Sequence, residues 1–152
     1  MSHQLKNENL AKSGSPWHGW VLGGIFLLYS LAAAFDSAMS FIQGETYFKA
    51  SGMNDMQISY FSNLPFWATL GMTICIWGGL LASIALLMHK SIATKLFSIA
   101  AISNLLYLIY AYLFSDGISA MGVLWPMPIA ITAMMVGMIF YCRHLTKLSV
   151  LR

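Results

Sequence analysis

Asp36 is the residue whose type and position most invite chemistry. It sits sixteen residues beyond Trp20 in a run whose only charge it is, about 24 Å along a helix at 1.5 Å per residue, and Ser37-Ala38-Met39-Ser40-Phe41-Ile42 continue past it. An ionisable group in such a run is costly and points by default to contact with a cation, a proton or a polar ligand. The plainer reading is a carboxylate that meets water or accepts hydrogen bonds from Tyr60, Asn63 or Tyr110. Asn104 lies near the middle of another apolar run, with Tyr107 and Tyr110 one and two turns further on. On its own, Asn104 is a hydrogen-bonding link between helices. Together Asp36, Ser40, Asn104, Tyr107 and Tyr110 make the candidate polar-ligand site. Asp116, in Ser115-Asp116-Gly117, reads instead as a helix stop and turn.

Other reactive types are present without the spacing that chemistry needs. His18, His89 and His144 would all lie at the cytoplasmic ends of helices, but no His pair stands at i, i+4 and no Cys-x-x-Cys occurs, so no metal site is expected. Cys75 and Cys142 lie at different depths, further apart than the roughly 7 Å a disulfide spans between Cα atoms. There is no glycine-rich phosphate loop, nucleophile elbow or zinc-protease pattern. No catalytic residue and no cofactor is expected, and the chain does not read as an enzyme. A packing signal is clearer. Gly71, Cys75, Gly79 and Ser83 recur every four residues, and Ala133 with Gly137 forms a shorter version, the small-residue stripes that let helix backbones approach closely within a bundle or between protomers.

The elements that position these residues follow from composition. The 152 residues are 59% hydrophobic and only 9% charged, with a mean hydropathy of +0.70. Ordinary globular chains carry about 25% charged residues. Thirteen charges, eight Lys and Arg plus five Asp and Glu, could not cover a water-soluble fold of this size, which excludes soluble enzymes and nucleic-acid binders despite the pI near 9.0. Four apolar runs approach or exceed the roughly 20 residues that cross a bilayer core, drawn at about 20–41, 64–88, 96–115 and 120–142. Without water for the backbone, such spans must be helices. The expected fold is therefore all-α, an integral membrane four-helix bundle over 17–143. A disordered segment, Met1–Pro16, precedes it and a basic tail, 144–152, follows. An outer loop of about Ile42–Asn63 is able to lie as a short amphipathic helix on the membrane surface.

Orientation comes from the basic residues. Lys6, Lys12, Lys90, Lys95, Arg143, Lys147 and Arg152 fall on one side and only Lys49 on the other, which places both termini in the cytoplasm. Trp17 and Trp20 at one face, and Tyr60, Trp67 and Trp125 at the other, suit interfacial aromatic belts. Lys6, Lys12 and Ala32-Ala33-Ala34 also carry features of a cleavable signal peptide, but the hydrophobicity continues past that site to Ile42. The halves echo one another faintly: Leu27-Leu28-Tyr29 leads to Asp36, and Leu105-Leu106-Tyr107 to Asp116. The offsets differ by one or two residues, as apolar sequence of low complexity gives by chance.

Leu28-Tyr29-Ser30-Leu31-Ala32-Ala33-Ala34-Phe35-Asp36, Tyr60-Phe61-Ser62-Asn63-Leu64-Pro65-Phe66-Trp67-Ala68 and Trp77-Gly78-Gly79-Leu80-Leu81-Ala82-Ser83, with Leu106-Tyr107, resemble a family of small four-helix bacterial inner-membrane proteins, some of which carry a sugar-transporter label. The resemblance covers about Trp17 to Phe140. The family's first helix ends in a Trp-Asn-x-x-Gly-x-x-Asp-Tyr-like pattern. Here Tyr29-Ser30, Ala33 and Ser37 replace its Trp-Asn, Gly and Tyr, and Asp36 carries over. The resemblance implies the fold and a multi-pass inner-membrane location. The functional expectation is an accessory or interaction protein whose partners are the lipid bilayer and a second copy or another membrane protein, with no nucleic acid. The alternative is a small-solute carrier, possible sugar transport included, acting as a homo-oligomer.

Overall fold

The computed structural model of the chain describes residues 17–151. The segment read above as disordered, 1–16, and Arg152 lie outside the described residues. Those described are all-helical, without strands. Helix α1 spans Trp17–Gln43. Two short helices follow, α2 (Glu45–Ala50) and α3 (Asp55–Ser62), then α4 (Phe66–Leu87) and α5 (Ile92–Ile109), which continues as a π-helical turn over Tyr110–Phe114. A short α6 (Gly117–Met121) and a 3-10 turn (Gly122–Leu124) lead to α7, Met127–Lys147. Four helices, α1, α4, α5 with its π turn, and α7, are long and apolar enough to cross a membrane.

The long helices pack in sequence, α1 on α4, α4 on α5 and α5 on α7. Small residues set how closely they approach. On α1 the buried positions are Gly19, Gly23, Phe26, Ser30, Ala34 and Ser37, a stripe at three- and four-residue spacing. On α4 the buried face holds Gly71, Cys75, Gly79 and Ser83. A Cβ on Gly71 would stand 2.7 Å from the Ser103 carbonyl oxygen of α5, so that contact requires glycine. Phe26 and Phe97 meet edge-to-face with centroids 5.2 Å apart, and Met135 of α7 reaches in beside Cys75 and Gly79. These residues centre the core.

Several boundaries differ from the sequence reading, each for a local reason. The fourth helix was expected over about 120–142 and instead begins at Met127. Gly122, at φ +55°, ends α6, while Pro126 and Pro128 restart the chain at the first turn of α7, where a missing N–H costs nothing. The third helix begins at Ile92 rather than 96, because Lys95 is exposed and carries its charge outward on an apolar stem. The loop at 42–63 folds into α2 and α3. The latter opens on a capping box in which Asn54 Oδ1 accepts from the Gln57 N–H at 2.8 Å and Gln57 Oε1 accepts from the Asn54 N–H at 3.1 Å. Asp36 lies inside α1, whereas Asp116 precedes α6 outside the long helices, so the two carboxylates of the sequence echo stand in unlike positions.

Candidate functional site

Asp36 is held by a residue the sequence reading missed. The chain turns at Gly44, φ +54°, and α2 folds back so that the Tyr47 hydroxyl donates to Asp36 Oδ1 at 2.7 Å. That hydrogen bond to a carboxylate, followed by a smaller desolvation effect, raises the Tyr47 phenol above its usual pKa of 10.0. Ser40 Oγ donates to the Asp36 backbone carbonyl at 2.8 Å, the ordinary back-bond of a helical serine. Asp36 itself is exposed. The pairing was hard to anticipate because it depends on a one-residue turn between two helices.

Asn104 faces elsewhere. Its Nδ2 donates to Thr132 Oγ1 at 2.8 Å and to the Pro128 carbonyl at 3.3 Å, and Thr132 Oγ1 donates to the same carbonyl at 2.9 Å. Asn104 is 4% exposed, so this three-way bond is a buried polar link between α5 and α7. Tyr107 donates to Met121 Sδ at 3.9 Å, and the Tyr110 ring stacks on Tyr60 and meets Trp67 edge-on at 5.6 Å. The five residues grouped from sequence thus part company: Asp36 pairs with α2, Ser40 bonds back within α1, Asn104 pairs with α7, and Tyr107 and Tyr110 join Met121 and the aromatic layer. Among the described residues no hydrogen bond or ring contact joins Asp36 to Asn104, Tyr107 or Tyr110.

The aromatic layer is built around the π turn. Wider winding over Tyr110–Phe114 brings the chain to Ser115, whose Oγ donates to the Tyr110 carbonyl at 3.0 Å and to the Ala111 carbonyl at 3.3 Å. The Tyr112 hydroxyl donates to the Trp125 carbonyl. Gly117 sits where a Cβ would lie 2.5 Å from the Ala111 oxygen and 2.9 Å from the Tyr60 hydroxyl. That hydroxyl is buried. π turns are often found at functional sites. This one packs α3 and α6 onto the end of α5.

The two small-residue stripes differ in use. Gly71, Cys75, Gly79 and Ser83 are consumed inside the chain: Gly79 lies against Met135 and Phe26, and the Ser83 and Ser30 hydroxyls are 3.4 Å apart. Ala133 and Gly137 face outward, and a Cβ on Gly137 would meet nothing within 4 Å. Cys75 and Cys142 are buried and free. At the opposite end from Asp36, His18 Nδ1 and the Tyr141 hydroxyl are 2.7 Å apart, tying α1 to α7, and the Trp20 and His89 rings lie 5.4 Å apart. No three His, Cys, Asp or Glu side chains gather as metal ligands among the described residues. No family model matches the chain, and no curated protein or solved structure matches it either.

Proposed function

We propose that this chain is a multi-pass protein of the bacterial inner membrane, with both termini cytoplasmic, that acts as an accessory or interaction subunit. The apolar length of four helices supports insertion. So do the large side chains on their outer faces, such as Leu28 at 70%, Phe35 at 64% and Phe140 at 65% exposure. The grouping of Lys90, Lys95, Arg143 and Lys147 at one end supports the orientation.

The observation that carries the interaction reading is Gly137. A helix-interior glycine costs about 0.5–1 kcal/mol relative to alanine. Gly71 has a reason for that cost in the Ser103 carbonyl, but Gly137 has none among the described residues. It continues a line of small, exposed residues from Ala130 and Ala133, which is the surface a second transmembrane helix needs for close approach. Gly24 is similarly open, but the residues four before and four after it, Trp20 and Leu28, are both large and exposed, whereas Gly137 is preceded on its face by Ala130 and Ala133. The transport alternative draws on Asp36 and Asn104, whose hydrogen bonds run to Tyr47 and Thr132, so association is the better-supported reading.

The test is Gly137→Leu in the full chain, followed by native mass spectrometry after gentle extraction. The reading expects the complex of the parent chain to dissociate while the monomer keeps its helical content. An unchanged oligomer or partner distribution contradicts it.

A further inference from the structure

We infer that the connection from α5 to α7, Gly117–Pro126, is a re-entrant segment seated among the acyl chains of one membrane leaflet, an inference that rests on membrane insertion but not on the interaction reading. Its depth follows from one contact. Asn104 Nδ2 donates to the Pro128 carbonyl at 3.3 Å and to Thr132 Oγ1 at 2.8 Å, so the first turn of α7 lies at the level of Asn104. Asn104 stands near the middle of the apolar span Ile92–Phe114. From there α5 and its π turn run ten residues further to Phe114, on the order of 15 Å. The chain leaves the helix at that end, yet α7 begins at Met127, one residue before the contact. Gly117–Pro126 therefore carries the chain back down beside α5, to a depth that the hydrocarbon encloses.

Two further observations agree. The Tyr107 hydroxyl, two turns short of Phe114, donates to Met121 Sδ at 3.9 Å, so the end of α6 also reaches below the end of α5. The uncharged part of α7, Met127–Cys142, is sixteen residues or about 24 Å, short of a hydrocarbon core about 30 Å thick. Helix α4 supplies 22 uncharged residues, about 33 Å. The re-entrant segment makes up the apolar length that α7 lacks.

Backbone at such depth has to find its hydrogen bonds within the protein. The Gly122 N–H donates to the Ile118 carbonyl and the Trp125 N–H to the Gly122 carbonyl at 3.3 Å, while the Trp125 carbonyl accepts from the Tyr112 hydroxyl. A helix start leaves four N–H groups free. Pro126 and Pro128 remove two of those donors from α7, and the Ala130 N–H reaches the Pro126 carbonyl at 3.0 Å. The side chains sort in the same way. Gly117, Ala120 and Met121 are buried, while Ile118, Val123, Leu124 and Trp125 face outward, Val123 at 94% exposure. Leu113 before the segment and Ile129 after it are exposed too, and no charge occurs from Gly117 to Cys142. An uncharged apolar surface that continues onto α5 and α7 fits acyl chains better than a protein partner, whose interface carries a polar rim.

The test reads membrane depth with nitroxide labels on the full chain, reconstituted into phosphatidylcholine vesicles. The labelled variants are Val123→Cys, Leu28→Cys and Lys49→Cys, all at exposed positions, and the parent chain, whose Cys75 and Cys142 are buried, gives the blank. Collisions of each label with oxygen, which concentrates in hydrocarbon, are compared with collisions with a water-soluble nickel chelate. Oxygen should exceed nickel severalfold at positions 123 and 28, with the order reversed at 49. Nickel dominance at position 28 overturns the membrane reading and this inference with it. Nickel dominance at 123 beside oxygen dominance at 28 overturns the re-entrant segment alone. Shielding of position 123 from both reagents also overturns it, because protein and not lipid would then cover the segment.

Discussion

Tyr47 donates its hydroxyl hydrogen to Asp36 Oδ1 at 2.7 Å, and this bond fastens α2 to the end of α1. The carboxylate within the apolar run is thereby given a partner from the polar stretch that joins α1 to α4. It stands nineteen residues after Trp17, about 28 Å along the helix, a length close to the roughly 30 Å of a bilayer's hydrocarbon core.

Removing that hydroxyl should loosen α2 while leaving the bundle intact. Tyr47→Phe is expected to raise hydrogen exchange over Glu45–Ala50 severalfold and leave α4 and α5 unchanged. Because the folded state raises the phenol's pKa, the bond's contribution is fully present below the ordinary value of 10.0 and is lost as pH rises through the higher folded value. Alkaline titration followed by phenolate absorbance, compared with Tyr47→Phe, checks the sign: a tyrosine ionising later than a free phenol should vanish in the variant.

Asn104 and Thr132 should behave as a coupled pair. Asn104→Ala and Thr132→Val are each expected to cost about 1 kcal/mol, within the range of hydrogen bonds measured between membrane helices. The double variant should cost less than the sum, because both changes remove one interaction. Reversible unfolding in mixed micelles measures the cycle, and strict additivity would show that the 2.8 Å contact contributes nothing.

The glycines make a paired prediction of opposite sign. Gly71→Ala places a methyl 2.7 Å from the Ser103 carbonyl and should destabilise the bundle by about 1–3 kcal/mol, as overpacking does. Gly137→Ala meets nothing among the described residues and should stabilise the isolated monomer by about 0.5–1 kcal/mol. Gly79→Leu, on the stripe that from sequence suited contact either within the bundle or between protomers, should disturb folding, because Met135 and Phe26 occupy the space beside it. Comparing unfolding of the three monomers separates these effects.

The long helices were legible because their evidence is local. A run of apolar residues without charges needs no partner to be read, and Pro65, Pro126 and Pro128 do stand at helix starts. The fourth helix was drawn too early because Ile118, Val123 and Leu124 are as apolar as a span, while the break depends on the φ of Gly122 and two prolines. The partners of Asp36 and Asn104 were less legible. Tyr47 reaches Asp36 through a turn at a single glycine, and Thr132 meets Asn104 only once α5 and α7 are docked. Grouping polar residues by depth alone joined side chains that point to different neighbours. The stripes show the same limit, since sequence marks small residues equally whether their partner helix lies inside the chain or outside it.

Site-specific photo-crosslinking in the host membrane tests the central claim most directly. A photoreactive residue at Gly137 is compared with one at Leu28, which is exposed on α1 and lies on no small-residue line. The account predicts a single protein adduct of defined mass from position 137, whether a second copy or one other membrane protein, and only lipid adducts from position 28. Lipid adducts alone at both positions would contradict it.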